Sequence, residues 1–238
     1  MRICLRTLLV PLILISAPSA MPFCFVPQPR LVRAEYFASQ LVVEATLDQT
    51  RALHDVDDPQ GVSAYVYTLR VDRVLRGKTA ATLRVHEGND SGRATFGWVR
   101  GRKYLLFLFY APQDKSWELD GCGNSGPLSD ARMALAEIAS IKASHGGGSI
   151  QGIVSEQALS TPISGVRVEA IGKTGRYEAT TNKGGEFQIA VPAGQYVVYA
   201  FKNGMSFDKA DISYEDPGDI RIEPGGCAQI QFARIERK

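Results

Sequence analysis

The chain is poor in the residues that most often carry chemistry in proteins. Its 238 residues include three histidines, four cysteines and two tryptophans. No two cysteines have the C-x-x-C spacing of a zinc or redox motif. No G-x-S-x-G sequence marks the nucleophile of a hydrolase. We therefore expect a protein that is not an enzyme and that uses no cofactor and no metal ion.

Long apolar runs are also scarce. The run from Leu8 to Ile15 follows Arg2 and Arg6, and the small residues Ala17 to Ala20 come after it. A basic start, a short apolar run and small residues predict a secretory signal peptide over residues 1–20. A membrane anchor is the alternative, but a spanning helix needs roughly twenty apolar residues. We expect a secreted or periplasmic protein with no membrane span once the signal is removed.

Neither sign of charge dominates the chain. It has 27 basic and 25 acidic residues, and loss of Arg2 and Arg6 with the signal leaves 27 − 2 = 25 of each. Nucleic-acid binding normally requires a basic excess, which the mature chain lacks. We expect the partner to be a protein or a component of the cell envelope, and the sequence does not indicate an oligomeric state.

Glycine and proline punctuate residues 148–201 at the spacing of short strands. Apolar and polar residues alternate from Val166 to Ala170 and again from Phe187 to Val191. This period of two is typical of strands buried on one face. Asn182 to Gly185 supplies residues that turn the chain tightly between two strands. The pattern predicts a small antiparallel β-sandwich over residues 149–238.

This half resembles the carboxypeptidase regulatory-like domain, a transthyretin-like or prealbumin-like sandwich. The resemblance rests on P-I-S-G-V-R-V at 162–168, T-T-N-K-G-G-E-F-Q-I at 180–189 and P-A-G-Q-Y-V-V at 192–198. It implies a non-enzymatic appendage that supports or docks another molecule. Related adhesins seal such sandwiches with an isopeptide bond from a lysine in the first strand. Gly148 to Ser155 contains no lysine, so we expect no such crosslink here.

The N-terminal half predicts a second β-rich unit. We expect five strands that form a small barrel, at Gln40–Leu47, Ala64–Val74, Ala81–His86, Tyr104–Tyr110 and Trp117–Leu119. A helix is expected at Ser129–Ala143, with an apolar stripe on one face and Ser129 as its cap. A glycine-rich linker over residues 144–148 then leads to the sandwich.

Three motifs in this half resemble the bacterial netrin-like domains, which are OB-folds related to tissue inhibitors of metalloproteinases. They are T-L-R-V-D-R-V-L-R-G at 68–77, G-R-K-Y-L-L-F at 101–107 and C-G-N-S-G-P-L at 122–128. The resemblance spans residues 24–143. In that family, N-terminal cysteines are tied to cysteines later in the barrel. It therefore implies a disulfide between Cys24 and Cys122, which leaves Cys227 as an unpaired thiol.

The leading hypothesis is an exported, non-catalytic binding or structural protein that acts through protein or envelope-surface interaction. One alternative is a metalloprotease-inhibitor-like module. Such inhibitors chelate zinc through an N-terminal cysteine, which Cys24 would become only if cleavage followed Phe23. The other alternative is a carbohydrate-binding accessory protein that uses barrel aromatics such as Trp98. Core packing is the expected role of those aromatics, since they are normal filling of a barrel.

The remaining polar clusters are interpreted as surface. His54 to Asp58 is expected to be a solvated loop, because metal ligands must converge in space. Asp208 to Asp219 lacks the spacing of a calcium loop and is expected to be an acidic surface connection. Arg100 to Lys103 is typical of a charged hairpin tip. Ser125 has no supporting histidine and acid in a recognisable arrangement.

Overall fold

The computed structural model describes residues 30–55, 57–90, 93–94, 96–112, 115–142, 146–156, 161–211 and 220–235. The elements in chain order are α1 Val32–Ala38, β1 Leu41–His54, β2 Val62–Arg76, β3 Thr82–Gly88, β4 Lys103–Ala111, β5 Ser116–Leu119, β6 Gly126–Pro127, α2 Arg132–Lys142, β7 Gly148–Ser155, β8 Arg167–Gly172, β9 Gly175–Thr180, β10 Glu186–Val191, β11 Gly194–Phe201, β12 Ser206–Asp211, β13 Ile220–Ile222 and β14 Cys227–Ile235. Strands dominate, so the predicted mainly β class is confirmed. The predicted signal peptide and Cys24 lie outside the described residues.

Five strands of the N-terminal half close into a ring. The sheet order is β1-β2-β3-β5-β4-β6, and an additional β1–β4 pairing joins its two sides. The β3–β5 pair is parallel, whereas the other pairs of the ring are antiparallel. β1 is 14 residues long because it pairs with β4 through its first half and with β2 along nearly its whole length.

Strand β4 and the first half of β1 are buried on both faces. Leu106 and Leu108 join the cluster inside the ring, whereas Leu105 and Phe107 pack outside it against α1 and α2. The continuous apolar run of β4 follows from this double burial. The short helix α1 therefore lies directly against the outer face of the ring.

The helices differ from the expectation in two ways. α2 begins at Arg132 instead of Ser129, and Ser129 does not cap it, because its hydroxyl donates to the Asp130 carboxylate at 2.8 Å. α1 lies where the sequence pattern indicates no helix. Seven residues are too few for a helix that is stable on its own, so tertiary contacts hold it.

The C-terminal half is a sandwich of two four-stranded sheets, as predicted. The orders are β10-β7-β14-β12 and β13-β11-β8-β9. Ile150, Val168, Ile189, Val198 and Ile230 are among the residues of the core between them. At the predicted turn, the Asn182 side chain accepts the N–H groups of Gly184 at 2.8 Å and Glu186 at 3.0 Å.

Two expectations about the sandwich were wrong in detail. It is not wholly antiparallel, because β14 pairs in parallel with β7 from Cys227 opposite Ser149 onward. Part of the segment interpreted as an acidic surface connection is strand β12, where Asp208 lies opposite Ala233. Hydrogen bonds to β14 determine this strand, and its own sequence does not show the usual alternation. Residues 212–219 of the same segment lie outside the described residues.

Helix α1 joins the two halves of the molecule. Ala34 and the Cys227 side chain form a small buried cluster with Leu31 and Ala38. The Arg33 guanidinium donates to the Gly225 carbonyl at 3.1 Å and pairs with Glu137 of α2 at 2.7 Å. The same short helix thus contacts the sandwich and the N-terminal helical layer.

The predicted glycine linker is held by hydrogen bonds at its described end. The Gly225 N–H lies 3.0 Å from the Gly146 carbonyl and 3.1 Å from that of Gly147, and Gly148 already belongs to β7. Residues 146–148 are therefore held against the sandwich. His145, within residues 144–148, is outside the described residues.

Candidate binding groove

Three glutamines form a row across the outer face of the sandwich. Gln188 on β10 lies opposite Gln151 on β7, and Gln151 lies opposite Gln229 on β14. Because side chains alternate along a strand, the flanking residues Ile150 and Ile230 face the core instead. We call these three residues the glutamine row.

A groove of about 520 Å³ lies over the glutamine row. This volume falls within the range of ligand-binding clefts in proteins, roughly 300 to 1,000 Å³. Besides the row, its lining includes Leu31, Gly152, Ile153, Ala179, Thr180, Asn182, Glu186 and Phe187. The groove therefore spans the outer face from β14 to β10 and reaches the adjacent edge strand β9.

The position of α1 fixes one end of the groove. The Leu31 N–H donates to the Gln229 side-chain oxygen at 2.8 Å, just before the helix begins. The buried contact of Ala34 with Cys227 holds the next turn of the chain on the same strand. The row thus already binds one backbone amide of this protein.

The groove is polar but carries little charge. Glu186 is the one ionisable residue among its described lining, and the Asn182 amide donates to its carboxylate at 2.9 Å. Neighbouring Gln231 on β14 is 2% exposed, and its amide has no hydrogen-bond partner among the described residues. The described lining offers amide donors and acceptors without a nucleophile or an acid–base pair, which suits binding of neutral polar groups.

A second polar cluster explains the C-G-N-S-G motif that leads into β6. Buried Glu35 of α1 accepts hydrogen bonds from the Asn124 backbone at 2.7 Å and from its side-chain amide at 2.6 Å. The Ser125 hydroxyl accepts the Phe107 N–H at 2.9 Å, which is a structural role. Arg30 and Asp120 form an ion pair beside Glu35. The motif therefore fastens α1 to the ring.

Burial controls the acidity of Glu35. Desolvation raises the pKa of its carboxyl from 4.5 to about 7, because the hydrogen bonds from Asn124 and the positive charge of Arg30 offset only part of the cost of burying charge. The charge of Asp120 adds a small effect in the same direction as burial. The carboxyl consequently changes charge near neutral pH.

Tyr67 and Tyr104 are buried in the core of the ring, and half-buried Trp98 packs against them, as expected. Trp98 lies 4.2 Å from the Tyr67 ring in a stacked arrangement and 4.7 Å from the Tyr104 ring. Buried Glu87 accepts from the Tyr67 hydroxyl at 2.8 Å, from the Ala94 N–H at 2.8 Å and from the Trp98 indole at 3.3 Å. Burial and the hydrogen bond to Glu87 raise the pKa of the Tyr67 hydroxyl. Glu87 thereby holds the segment that contains Trp98 against the ring.

Of the three cysteines with a predicted role, the structure describes Cys122 and Cys227 but not Cys24. Cys227 is a free thiol, buried at the start of β14, and burial raises the pKa of its thiol. Cys122 lies in the turn after β5, where its N–H donates to Asp120 at 2.9 Å. Cys24 lies outside the described residues, so its pairing with Cys122 stays a prediction.

In the part of the chain that the structure describes, the other polar clusters do not converge into a site. His54 is the last residue of β1, not part of a loop, because β1 continues past a register shift at Leu53 and pairs His54 with Val62 of β2. Asp55 and Asp58 accept backbone N–H groups within the turn that follows. Among the described residues, no group of three histidine, cysteine or acidic side chains is arranged to hold a metal ion.

Sequence reasoning missed the groove and α1. The three glutamines stand at positions 151, 188 and 229, and only strand register brings them together. Their outward positions follow from the alternation in β7, β10 and β14, which is the signal that could have found them. Leu31 carries no comparable signal, since it reaches the groove through the packing of α1.

The geometry of the C-terminal half agrees with a family match. Residues 149–228 match the family model of the carboxypeptidase regulatory-like domain. The matched residues include Gln151, Gln188 and most of the groove lining, whereas Gln229 directly follows the last matched residue. No curated protein matches the chain.

Comparison with solved structures gives only distant likenesses. One is a D312A form of BcpA, the major pilin subunit of Bacillus cereus, with 10% identity, a TM-score of 0.30 and coverage of 85% of this chain. The chain spans 62% of that pilin. Another is a C-terminal fragment of the pilus adhesin SpaC from Lactobacillus rhamnosus GG, with 11% identity, a TM-score of 0.27, and coverage of 86% of this chain and 91% of the fragment. At such scores, neither likeness establishes a shared fold.

Neither α1 nor α2, the helices in the described part of the chain, has the length and apolar character needed to cross a membrane.

Proposed function

We propose that the chain is an exported, non-catalytic binding protein whose carboxypeptidase regulatory-like domain docks an extended segment of a partner protein at the cell envelope. The observation that carries the proposal is an unpaired strand edge beside a polar groove. β10 pairs with β7 on one side, and no strand of the described residues pairs with its other side. Such an edge offers a row of backbone donors and acceptors to an incoming strand.

The strand register supports the availability of this edge. Antiparallel partners alternate between pairs that exchange two hydrogen bonds and pairs that exchange none. The Val154 N–H donates to the Gly185 carbonyl at 2.8 Å, so these two opposite residues form a hydrogen-bonded pair. The next pair along β10, Glu186 opposite Ile153, is therefore a non-bonded pair. Gln188 and Ala190 belong to the same set by alternation. The outward N–H and carbonyl of Glu186 are already bound to Asn182. The backbone groups of Gln188 and Ala190 are therefore the ones that point away from β7 toward the position of an added strand.

Crosslinking from the edge strand tests this proposal whatever protein the partner is. A photoreactive phenylalanine analogue replaces Gln188 in the mature protein, which is then irradiated with a cell-envelope fraction. We expect a specific protein adduct that the same analogue at Gln195, an exposed glutamine on β11, does not give. Addition of Ala190→Pro should abolish the adduct, because proline has no N–H to donate to the added strand. An edge strand itself tolerates proline where the N–H points outward.

Matched variants and controls define the contrary result. Ala190→Ser should leave the adduct intact, and thermal unfolding should show that both Ala190 variants remain folded. Equal adducts from Gln188 and Gln195, or an adduct that survives Ala190→Pro in the folded protein, would show that β10 is not the docking edge.

The N-terminal half is proposed to be a netrin-like OB-fold over residues 24–143. The ring of five strands supports this proposal, since an OB-fold is a five-stranded, partly open barrel. A disulfide from Cys24 to Cys122 is part of it and would stabilise the chain by roughly 4 to 5 kcal/mol in the chain-entropy account. Non-reducing peptide mapping should find these two cysteines joined, with Cys227 carrying the free thiol.

Export is proposed from the signal-like sequence at residues 1–20. Mass spectrometry of the protein purified from the periplasm or medium should find a mature chain that starts near Ala20 or Met21. A start at Cys24 would instead place its amine at the terminus and favour the inhibitor-like alternative. Retention of the full chain in the cytoplasm would contradict export.

A further inference from the structure

The glutamine row stops at β10, whose far side pairs with no strand in the described part of the chain. Gln229, Gln151 and Gln188 occupy one register position on three adjacent strands, and β10 is the last of them. Neighbouring strands are about 4.8 Å apart, which brings side chains at matched positions within reach of one another. A strand added at β10 would therefore place one of its side chains next to that of Gln188.

The row already binds one peptide group. Gln229 accepts the Leu31 N–H at 2.8 Å, although Leu31 comes from the segment before α1 and not from the sheet. Gln188 is exposed at the opposite end of the row. Its side chain can donate and accept at the same time, so it can bind an amide or a hydroxyl without a charge.

The two faces of β10 differ in polarity, so they favour different side chains on an added strand. Phe187 and Ile189 are buried in the sandwich core, whereas Gln188 and Ala190 are exposed on the outer face. A paired strand has the same alternation as the strand it joins, because successive side chains point to opposite faces. The inner positions of the partner would continue the apolar core, and its outer positions would continue the polar row.

We propose that the docked segment is an alternating strand with an amide or hydroxyl side chain, from Asn, Gln, Ser or Thr, beside Gln188. This inference rests on the proposed strand addition at β10 and specifies which side chains of the added strand are favoured. Glu186 is the only ionisable side chain of the described groove lining and is already bound to Asn182, so the groove does not favour a charged residue at that position. The partner residue extends the glutamine row by one position.

A phage-displayed library of random 12-residue peptides tests the proposed preference for an amide or hydroxyl side chain beside Gln188. The library is panned on the immobilised mature protein, and enriched sequences are compared with the unselected library. We expect alternating apolar and polar positions with Asn, Gln, Ser or Thr at the central polar position. Affinity of the best synthetic peptide should fall about fivefold on Gln188→Ala, the size expected for loss of a neutral side-chain hydrogen bond.

The control variant is Gln195→Ala, which removes an exposed glutamine from the other sheet and should leave peptide affinity unchanged. Peptides that bind equally to the wild type and Gln188→Ala, yet are lost on Ala190→Pro, would overturn the side-chain preference while strand addition stands. Peptides that survive Ala190→Pro would overturn both. Lack of any enrichment on the wild type overturns the preference, and the envelope crosslink then decides the proposed function independently.

Discussion

The Arg76 guanidinium on β2 pairs with the Glu223 carboxylate, which follows β13, at 2.6 Å across the junction of the two halves. Arg76 also donates to the Ser39 carbonyl at 2.9 Å and to the Phe37 carbonyl at 3.2 Å. It lies over the Tyr36 ring as well, 5.5 Å from the centroid. One side chain thus connects β2, the end of α1 and the sandwich.

A double-mutant cycle measures this connection. Arg76→Ala should lower the free energy of unfolding by about 2 kcal/mol, because it also leaves backbone carbonyls without their donor. Glu223→Ala should cost less, and the coupling between the two should be about 0.5 to 1 kcal/mol for a pair partly exposed to solvent. Urea unfolding of the four proteins gives these values. Strict additivity would mean that the pair does not link the halves energetically.

Stability should depend on pH through Glu35. Its folded pKa of about 7 lies above the ordinary 4.5, so the folded state binds the proton more tightly between these values. The free energy of unfolding must therefore fall as pH rises from about 4.5 to 7, by roughly 3 kcal/mol in total. Glu35→Gln keeps the shape and removes this titration.

Urea unfolding from pH 4.5 to 8 should give a difference between wild type and Glu35→Gln that grows with pH and levels off above 7. Only this difference isolates Glu35, since other groups titrate in both proteins. Parallel curves for the two proteins would contradict the assignment.

Gly123 should not tolerate a side chain. A Cβ at this position would stand 2.0 Å from the Glu35 carboxylate and 3.2 Å from the Asp120 carbonyl. Glu35 is buried and bound to Asn124, so it cannot move aside cheaply. Gly123→Ala should lower the free energy of unfolding by about 2 to 4 kcal/mol. Gly97→Ala is the control, because nothing lies within 4 Å of its Cβ position.

Glu87 should hold the Trp98 segment in place. Glu87→Ala leaves the Tyr67 hydroxyl and the Ala94 N–H without their partner in a buried region, at a cost of about 3 kcal/mol. Trp98 fluorescence should shift toward that of an exposed indole before global unfolding. Glu178→Ala on β9 is an exposed control. An unchanged Trp98 spectrum in Glu87→Ala would show that ring stacking alone holds the segment.

Local patterning predicted much of the fold. Phe187 and Ile189 alternate with exposed neighbours, so their strand could be found from period two, and Asn182 with its glycines located the turn before it. These signals lie within a few residues of each other. The β-class, the sandwich and most strand positions follow from them.

The features at the groove depend on distant residues instead. β12 was missed because its partners in β14 lie about 20 to 30 residues later in the chain. The parallel β7–β14 pair was missed because its partners are separated by 78 residues. α1 is too short to be predicted from its own sequence. Gln151, Gln188 and Gln229 had no common pattern, since register between strands is a property of the folded sheet.

The parallel pairing of β14 with β7 has a consequence for the order of folding. Ser149 pairs with Cys227, and β14 lies between β7 and β12 in the sheet. Until β14 has left the ribosome, β7 has no neighbour on that side and β12 has no sheet to join. Closing so long a loop late slows folding. The four-stranded sheet that contains β7 can therefore be completed only after almost all the residues up to 235 have been synthesised.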